Sequence, residues 1–165
     1  AGAQPIVTFQ NADAARNFGV ELEASYELFK GLFVNANYTW VDSKISLNPA
    51  QRTVQTSLER PLAGQSKNLF NVTTEYAARG FTTRVLVNYF GDRISDVGSN
   101  QAPDILEQGR TTVDVVLGQK VGRFNIRATV DNLTDAKWLF TQGSESQREF
   151  KLGRTFGLSV GLNVF

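Results

Sequence analysis

Glu21, Glu23 and Glu27 lie close together in the segment Asn17 to Leu28, each flanked on both sides by apolar residues. Carboxylates crowded on one side of a chain are raw material for acid–base work, because neighbouring like charges push their pKa values apart. Glu75, Arg84, Asp114, Arg127 and Asp131 add ionisable groups further along. What could complete a reactive site is missing. The 165 residues contain no histidine and no cysteine, which removes Ser-His-Asp triads, Cys-His pairs, thiolate chemistry, disulfides and most transition-metal sites. No catalytic residue, metal site or cofactor is expected, and the chain does not read as an enzyme.

The carboxylates take their meaning from the element that carries them. Phe18, Val20, Leu22, Ala24, Tyr26 and Leu28 alternate with Asn17, Gly19, Glu21, Glu23, Ser25 and Glu27. A period of two is a β-strand with one apolar and one polar face. Strands of ordinary domains run about 5–6 residues. One of about 12 residues, tilted about 40° and rising about 3.3 Å per residue, spans roughly the 30 Å of a bilayer's hydrocarbon core.

The pattern recurs in eight expected strands: Gln4–Gln10, Asn17–Leu28, Leu32 to about Ser46, Lys67–Tyr76, Phe81–Asp92, Arg110–Lys120, Arg123–Asn132 and Phe150–Phe165. Tight turns at Lys30-Gly31, Arg79-Gly80 and Val121-Gly122 take turns with long polar loops at about Leu47–Ser66, Arg93–Gln108 and Leu133–Glu149. In an up-and-down meander all short turns then fall on one rim and all long loops on the other, the arrangement of an outer-membrane barrel. The fold class is all-β, an antiparallel meander of about eight long transmembrane strands.

Composition permits this. A hydrophobic fraction of 41% and a mean hydropathy of -0.23 suit a wall in which only alternate residues meet lipid. No apolar run approaches the roughly 18 residues of a membrane helix. The net charge of +1, with basic residues dispersed, gives no reason to expect nucleic acid. The apolar rows carry almost no charge through their middles. Aromatics gather near strand ends, with Tyr76, Phe81 and Phe124 by the tight turns and Phe18, Tyr38, Trp40 and Tyr89 toward the long loops. Those rows are therefore expected to face lipid. Glu21, Glu23, Glu75, Arg84, Asp114, Arg127 and Asp131 are expected to line a wet lumen, since three glutamates on one strand need water or facing cations. A soluble, lipocalin-like barrel would turn the same rows inward.

Six motifs become specific in order along the chain: Asn17-Phe-Gly-Val-Glu-Leu-Glu23, Asn37-Tyr-Thr-Trp40, Leu62-Ala-Gly-Gln-Ser66 leading to Asn71, Asn88-Tyr-Phe-Gly-Asp-Arg93, Val130-Asp-Asn-Leu-Thr-Asp135 and Gly153-Arg-Thr-Phe156. Together they resemble the carboxyl-terminal barrel portion of a TonB-dependent outer-membrane receptor. That resemblance implies a barrel of about 22 strands around a globular plug. It also implies uptake of a scarce nutrient: siderophore-bound iron, haem, cobalamin or an oligosaccharide. The implied partners are outer-membrane lipid, the nutrient, the plug and remaining strands, TonB acting through the plug, and the barrel-assembly machinery. Plug and TonB-coupling box are absent from the 165 residues, which read as one barrel segment. Phe165 falls one step out of phase with Phe156, Leu158, Val160, Leu162 and Val164, unlike the family's terminal strand.

Ligand contacts are expected in the loops, at Gln51, Arg52, Arg60, Asp92, Arg93, Asn100, Gln101, Trp138, Phe140 and Gln142. The alternative is a complete eight-stranded porin-like or anchoring barrel, which needs Gln4–Gln10 to pair with Phe150–Phe165. An outer-membrane hydrolase would lack the residues for its chemistry. The first residue, Ala1, implies either a signal peptide cleaved before it or a longer chain.

Overall fold

The computed structural model describes residues 11–50 and 54–163. The expected strand Gln4–Gln10, loop residues Gln51 and Arg52, and Phe165 lie outside them. Within the described residues the strands are β1 (Ala14–Phe29), β2 (Leu32–Ser46), β3 (Glu59–Arg60), β4 (Asn68–Ala78), β5 (Phe81–Phe90), β6 (Arg93–Asp96), β7 (Ile105–Glu107), β8 (Arg110–Val121), β9 (Phe124–Asp131), β10 (Lys137–Gln142), β11 (Glu145–Lys151) and β12 (Thr155–Leu162).

Seven long strands form one antiparallel meander in the order β1-β2-β4-β5-β8-β9-β12, with β3 paired to β2. The register keeps the period-two rows intact from strand to strand. Tyr26 lies opposite Val34, Val34 opposite Thr74, Thr74 opposite Val85, Val85 opposite Val115, Val115 opposite Val130 and Val130 opposite Phe156. The polar row beside it runs Glu27, Phe33, Glu75, Arg84, Val116, Thr129 and Gly157. A one-residue slip anywhere would exchange the two faces, so each hairpin must hold its register. Arg79 and Gly80 both adopt positive φ (49° and 81°), the type I′ geometry that matches the twist of the flanking strands. Gly31 (φ 85°) is fixed doubly, because a Cβ there would meet the Ala77 carbonyl oxygen at 2.4 Å.

Burial is inverted relative to a soluble sandwich. Among the described residues the buried hydrophobic ones are Leu47, Ile94 and Phe140, all outside the seven-strand meander. On the meander's apolar face Leu22, Tyr26, Phe156 and Leu158 are 62–75% exposed. An apolar face this continuous is a surface that another apolar medium or body must cover. Aromatic pairs sit near its two ends, Phe18 edge-on to Trp40 (6.2 Å) and Phe29 tilted on Tyr76 (6.4 Å).

Two expectations need correction. The stretches read as long polar loops are partly folded: β6, β7, β10 and β11 form a second, four-stranded antiparallel sheet in the order β11-β10-β7-β6. Its strands run three to seven residues and mix charged with apolar side chains, too short and irregular for a period-two signal to stand out. The last strand, expected over Phe150–Phe165, is interrupted at 152–154, where Gly153 takes φ 77°, and so divides into the end of β11 and the strand β12.

Candidate functional site

The three long connections interlock. The first meets the second through a β-bridge between Gln55 and Ser99 and through Gly64 N–H donating to the Ile94 carbonyl (2.7 Å). The second joins the third where β7 pairs with β10 and where the Gln142 amide donates to the Pro103 carbonyl (2.9 Å). Arg148 on β11 then reaches Asp96 on β6, the opposite edge of the sheet, at 2.7 Å. The loops thus build one platform on the rim opposite the tight turns.

Two clusters hold that platform together. In the first, Glu107 is buried and accepts from Arg93 Nε (2.8 Å) and Arg110 Nη1 (2.7 Å). The Arg110 guanidinium lies between the rings of Phe90 (4.1 Å) and Trp138 (4.4 Å). Burial pushes the Glu107 carboxyl up, but the hydrogen bonds from Arg110 and Arg93 and their charges outweigh it and hold the group below its ordinary range. In the second, Arg148 stacks on Phe140 (4.3 Å), whose ring meets Phe150 edge-on at 6.0 Å. Hydrogen bonding from Arg148, then from Ser95, lowers the Asp96 pKa.

The expected ligand-contacting residues divide accordingly. Arg93, Trp138 and Phe140 are brought together inside these clusters, with Phe140 buried. Asp92 accepts from Gly109 N–H (2.6 Å), and Gln142 is tied to Pro103. Asn100 and Gln101 occupy an exposed tip with φ of 52° and 69°. Arg60 pairs with Ile45 in register and has its Nε and Nη1 buried without partners.

The residues expected to line the lumen share the meander's polar face. Glu75 and Arg84 form an ion pair (Nε to Oε2, 2.8 Å), and Asp114 accepts from Asn132 N–H (2.7 Å). Among the described residues Glu21, Glu23, Arg127 and Asp131 have no ion-pair partner. The strand opposite Glu21 and Glu23 presents Thr39 and Asn37 rather than cations. An asparagine ladder follows, in which the Asn71 amide donates to Asn37 at 2.7 Å. Among the described residues no group of three or more His, Cys, Asp or Glu side chains is placed to hold a metal ion.

Glu107, Arg110, Asn132 and Arg148 are structurally central yet were not singled out from sequence. For Asn132 a signal existed, because it belongs to the quoted Val130–Asp135 motif. It adopts φ 53°, its amide donates to the Gly153 carbonyl (2.9 Å) and its Oδ1 accepts from Ala136 N–H (2.9 Å). Asn132→Leu would strand both backbone groups in a conformation that costs a branched residue about 1–2 kcal/mol. With two half-buried groups unpaired, the expected loss is about 3 kcal/mol. Urea unfolding read from Trp138 fluorescence checks it; an unchanged midpoint would refute the role.

A family model described as TonB dependent receptor-like, beta-barrel, matches residues 1–133. A search of curated proteins by sequence gave no match. Among solved structures, the ferric yersiniabactin uptake receptor FyuA from Yersinia pestis aligns with a TM-score of 0.68 and 22% identity, over 94% of this chain and 24% of the receptor. The ferric-catecholate import receptor Fiu from K12 E. coli, in a closed form, aligns with a TM-score of 0.68 and 20% identity, over 90% of this chain and 21% of that one. The chain spans about a quarter of the length of either structure, and the likeness is one of fold.

Proposed function

The chain belongs to the TonB-dependent receptor β-barrel family, and on that premise we propose that it is the barrel-wall segment of an outer-membrane transporter for energy-coupled uptake of a scarce nutrient. The nutrient is siderophore-bound iron, haem, cobalamin or an oligosaccharide. One observation carries this reading: an apolar face, uncharged through its middle, and a polar, partly charged face kept in register across seven long strands. The apolar face meets lipid and the polar face lines the lumen around a plug. The platform of interlocked loops stands at the outer rim, where its exposed Asn100-Gln101 tip is available to ligand. Conversion of a substrate plays no part. The wall seals, presents loops, and leaves energy transfer to TonB acting through the plug.

Both structural relatives take up ferric complexes, so an iron chelate heads the panel of candidate nutrients. The test is uptake of labelled ferric siderophores, haem, cobalamin and oligosaccharides by cells with and without the gene encoding the whole receptor. We expect one class to be lost on deletion and to stop when the proton-motive force is dissipated. Passage that persists without energy would mean a porin, and no nutrient affected would refute the proposal.

A further inference from the structure

One face of the four-stranded platform sheet gathers rings and guanidiniums that the barrel wall does not need. Trp138 on β10 lies opposite Phe150 on β11. Two residues along, Phe140 lies opposite Arg148 on one side and Glu107 on the other, with Arg93 beyond Glu107. Cross-strand partners share a face, and so do residues two apart, so these six side chains stand together. Their side continues the meander's polar face. Arg110 pairs with Phe90 on that face, and its guanidinium touches the Trp138 ring above.

Pairing within this face is incomplete. Phe140 is buried, but Trp138 and Phe150 stay 37% and 49% exposed. Three guanidiniums (Arg93, Arg110, Arg148) meet two carboxylates (Glu107, Asp96), which leaves one positive charge in excess. Arg93 engages Glu107 through Nε and Nη2, and Arg148 engages Asp96 and Ser95 through Nη2 alone. Among the described residues Arg93 Nη1 and Arg148 Nε and Nη1 therefore have no hydrogen-bond partner, on side chains more than one-third exposed.

We infer that this face binds a ferric chelate whose metal-holding groups are aromatic rings with anionic oxygens, phenolates or catecholates. The inference rests on the transporter reading above and narrows its nutrient. Exposed ring faces take flat rings by offset or edge-on stacking. Surplus positive charge and unspent guanidinium N–H groups select anionic oxygens, which they bind more strongly than neutral ones. Rings and cations alternate, Phe90-Arg110-Trp138 and Phe140-Arg148, at 4.1–4.4 Å. That alternation matches separate rings radiating from a metal rather than one continuous macrocycle. An oligosaccharide would need acceptors for its hydroxyls, and both carboxylates here are already engaged by arginine.

The test is equilibrium binding to the whole receptor in vesicles, without an energy source, of four iron-radiolabelled probes. A ferric tris-catecholate is aryl and anionic; ferric citrate is anionic without rings; a ferric tris-hydroxamate has neither rings nor net charge; haemin is a macrocycle. The catecholate is expected to bind at least about ten-fold more tightly than each of the others. Preference for another probe, no preference, or no binding at all would overturn the inference. Trp138→Leu and Phe150→Leu, each checked for folding by heat-modifiable gel mobility, should each weaken catecholate binding about ten-fold. Lys137→Gln removes a cation from the opposite face of β10 and should leave it unchanged. Full affinity in the ring variants, or an equal loss in Lys137→Gln, would count against this face. A receptor that prefers citrate or hydroxamate sinks the inference and leaves the transporter reading standing, which energy-dependent uptake decides separately.

Discussion

Val85→Arg is expected to destabilise the assembled receptor by about 2–4 kcal/mol in a bilayer, the cost of a cation near the midplane on a lipid-facing strand. That is about a 30-fold to 1,000-fold shift in the folding equilibrium. Val85 lies mid-strand on β5, opposite Thr74 on one side and Val115 on the other, in the uncharged apolar row. Its neighbour Leu86 lies on the polar face, opposite Thr73 and Asp114. Leu86→Arg places the same charge beside a carboxylate in a wet environment and should cost about 1 kcal/mol or less. Urea unfolding in lipid vesicles compares the two. Equal costs, or a greater cost at Leu86, would reverse the assignment of faces.

Glu107→Gln is expected to loosen the loop platform by about 3 kcal/mol while sparing the strands below it. The substitution keeps shape and removes one charge from a buried carboxylate held by two guanidiniums, which leaves cations uncompensated in a partly desolvated place. The discount from the fully buried case reflects Arg93, which remains more than one-third exposed. Hydrogen exchange should rise in β6, β7 and β10 and stay unchanged in β4 and β5. The same carboxyl gives the platform an acid limit. Its folded pKa is depressed, so its stabilisation is complete above its unfolded value, about 4.3, and is lost as pH falls through the folded one. Asp96, held low by its hydrogen bond from Arg148, adds to the same limb. Glu107→Gln should therefore flatten platform stability against pH below about 4. An unaltered acid profile would show that Glu107 does not carry it.

Seven of the long strands were legible in the sequence because a wall two faces deep repeats its pattern every second residue. The strand read from Leu32 to about Ser46 is Leu32–Ser46, and Asn17–Leu28 fell short of Ala14–Phe29 only where the end residues leave the alternation. The platform was not legible for a physical reason. Its strands are held by contacts between connections far apart in sequence, such as Arg148 with Asp96 across 52 residues, and no local period announces them. Glu107 and Arg110 read as ordinary loop charges; only the fold sets Phe90 and Trp138 around Arg110. Trp138 and Phe140 were expected to contact ligand from the third loop. The structure pairs Trp138 with Arg110 and Phe140 with Phe150 and Arg148.

The central claim concerns which face of the sheet meets lipid, and a nitroxide scan along β5, Phe81–Phe90, in the whole receptor reconstituted in vesicles measures it directly. Collisions with oxygen, which concentrates in hydrocarbon, should peak at positions 81, 83, 85, 87 and 89. Collisions with a water-soluble nickel chelate should peak at the even positions between them. The opposite phase, or no period of two, would contradict a membrane wall with a polar lumen.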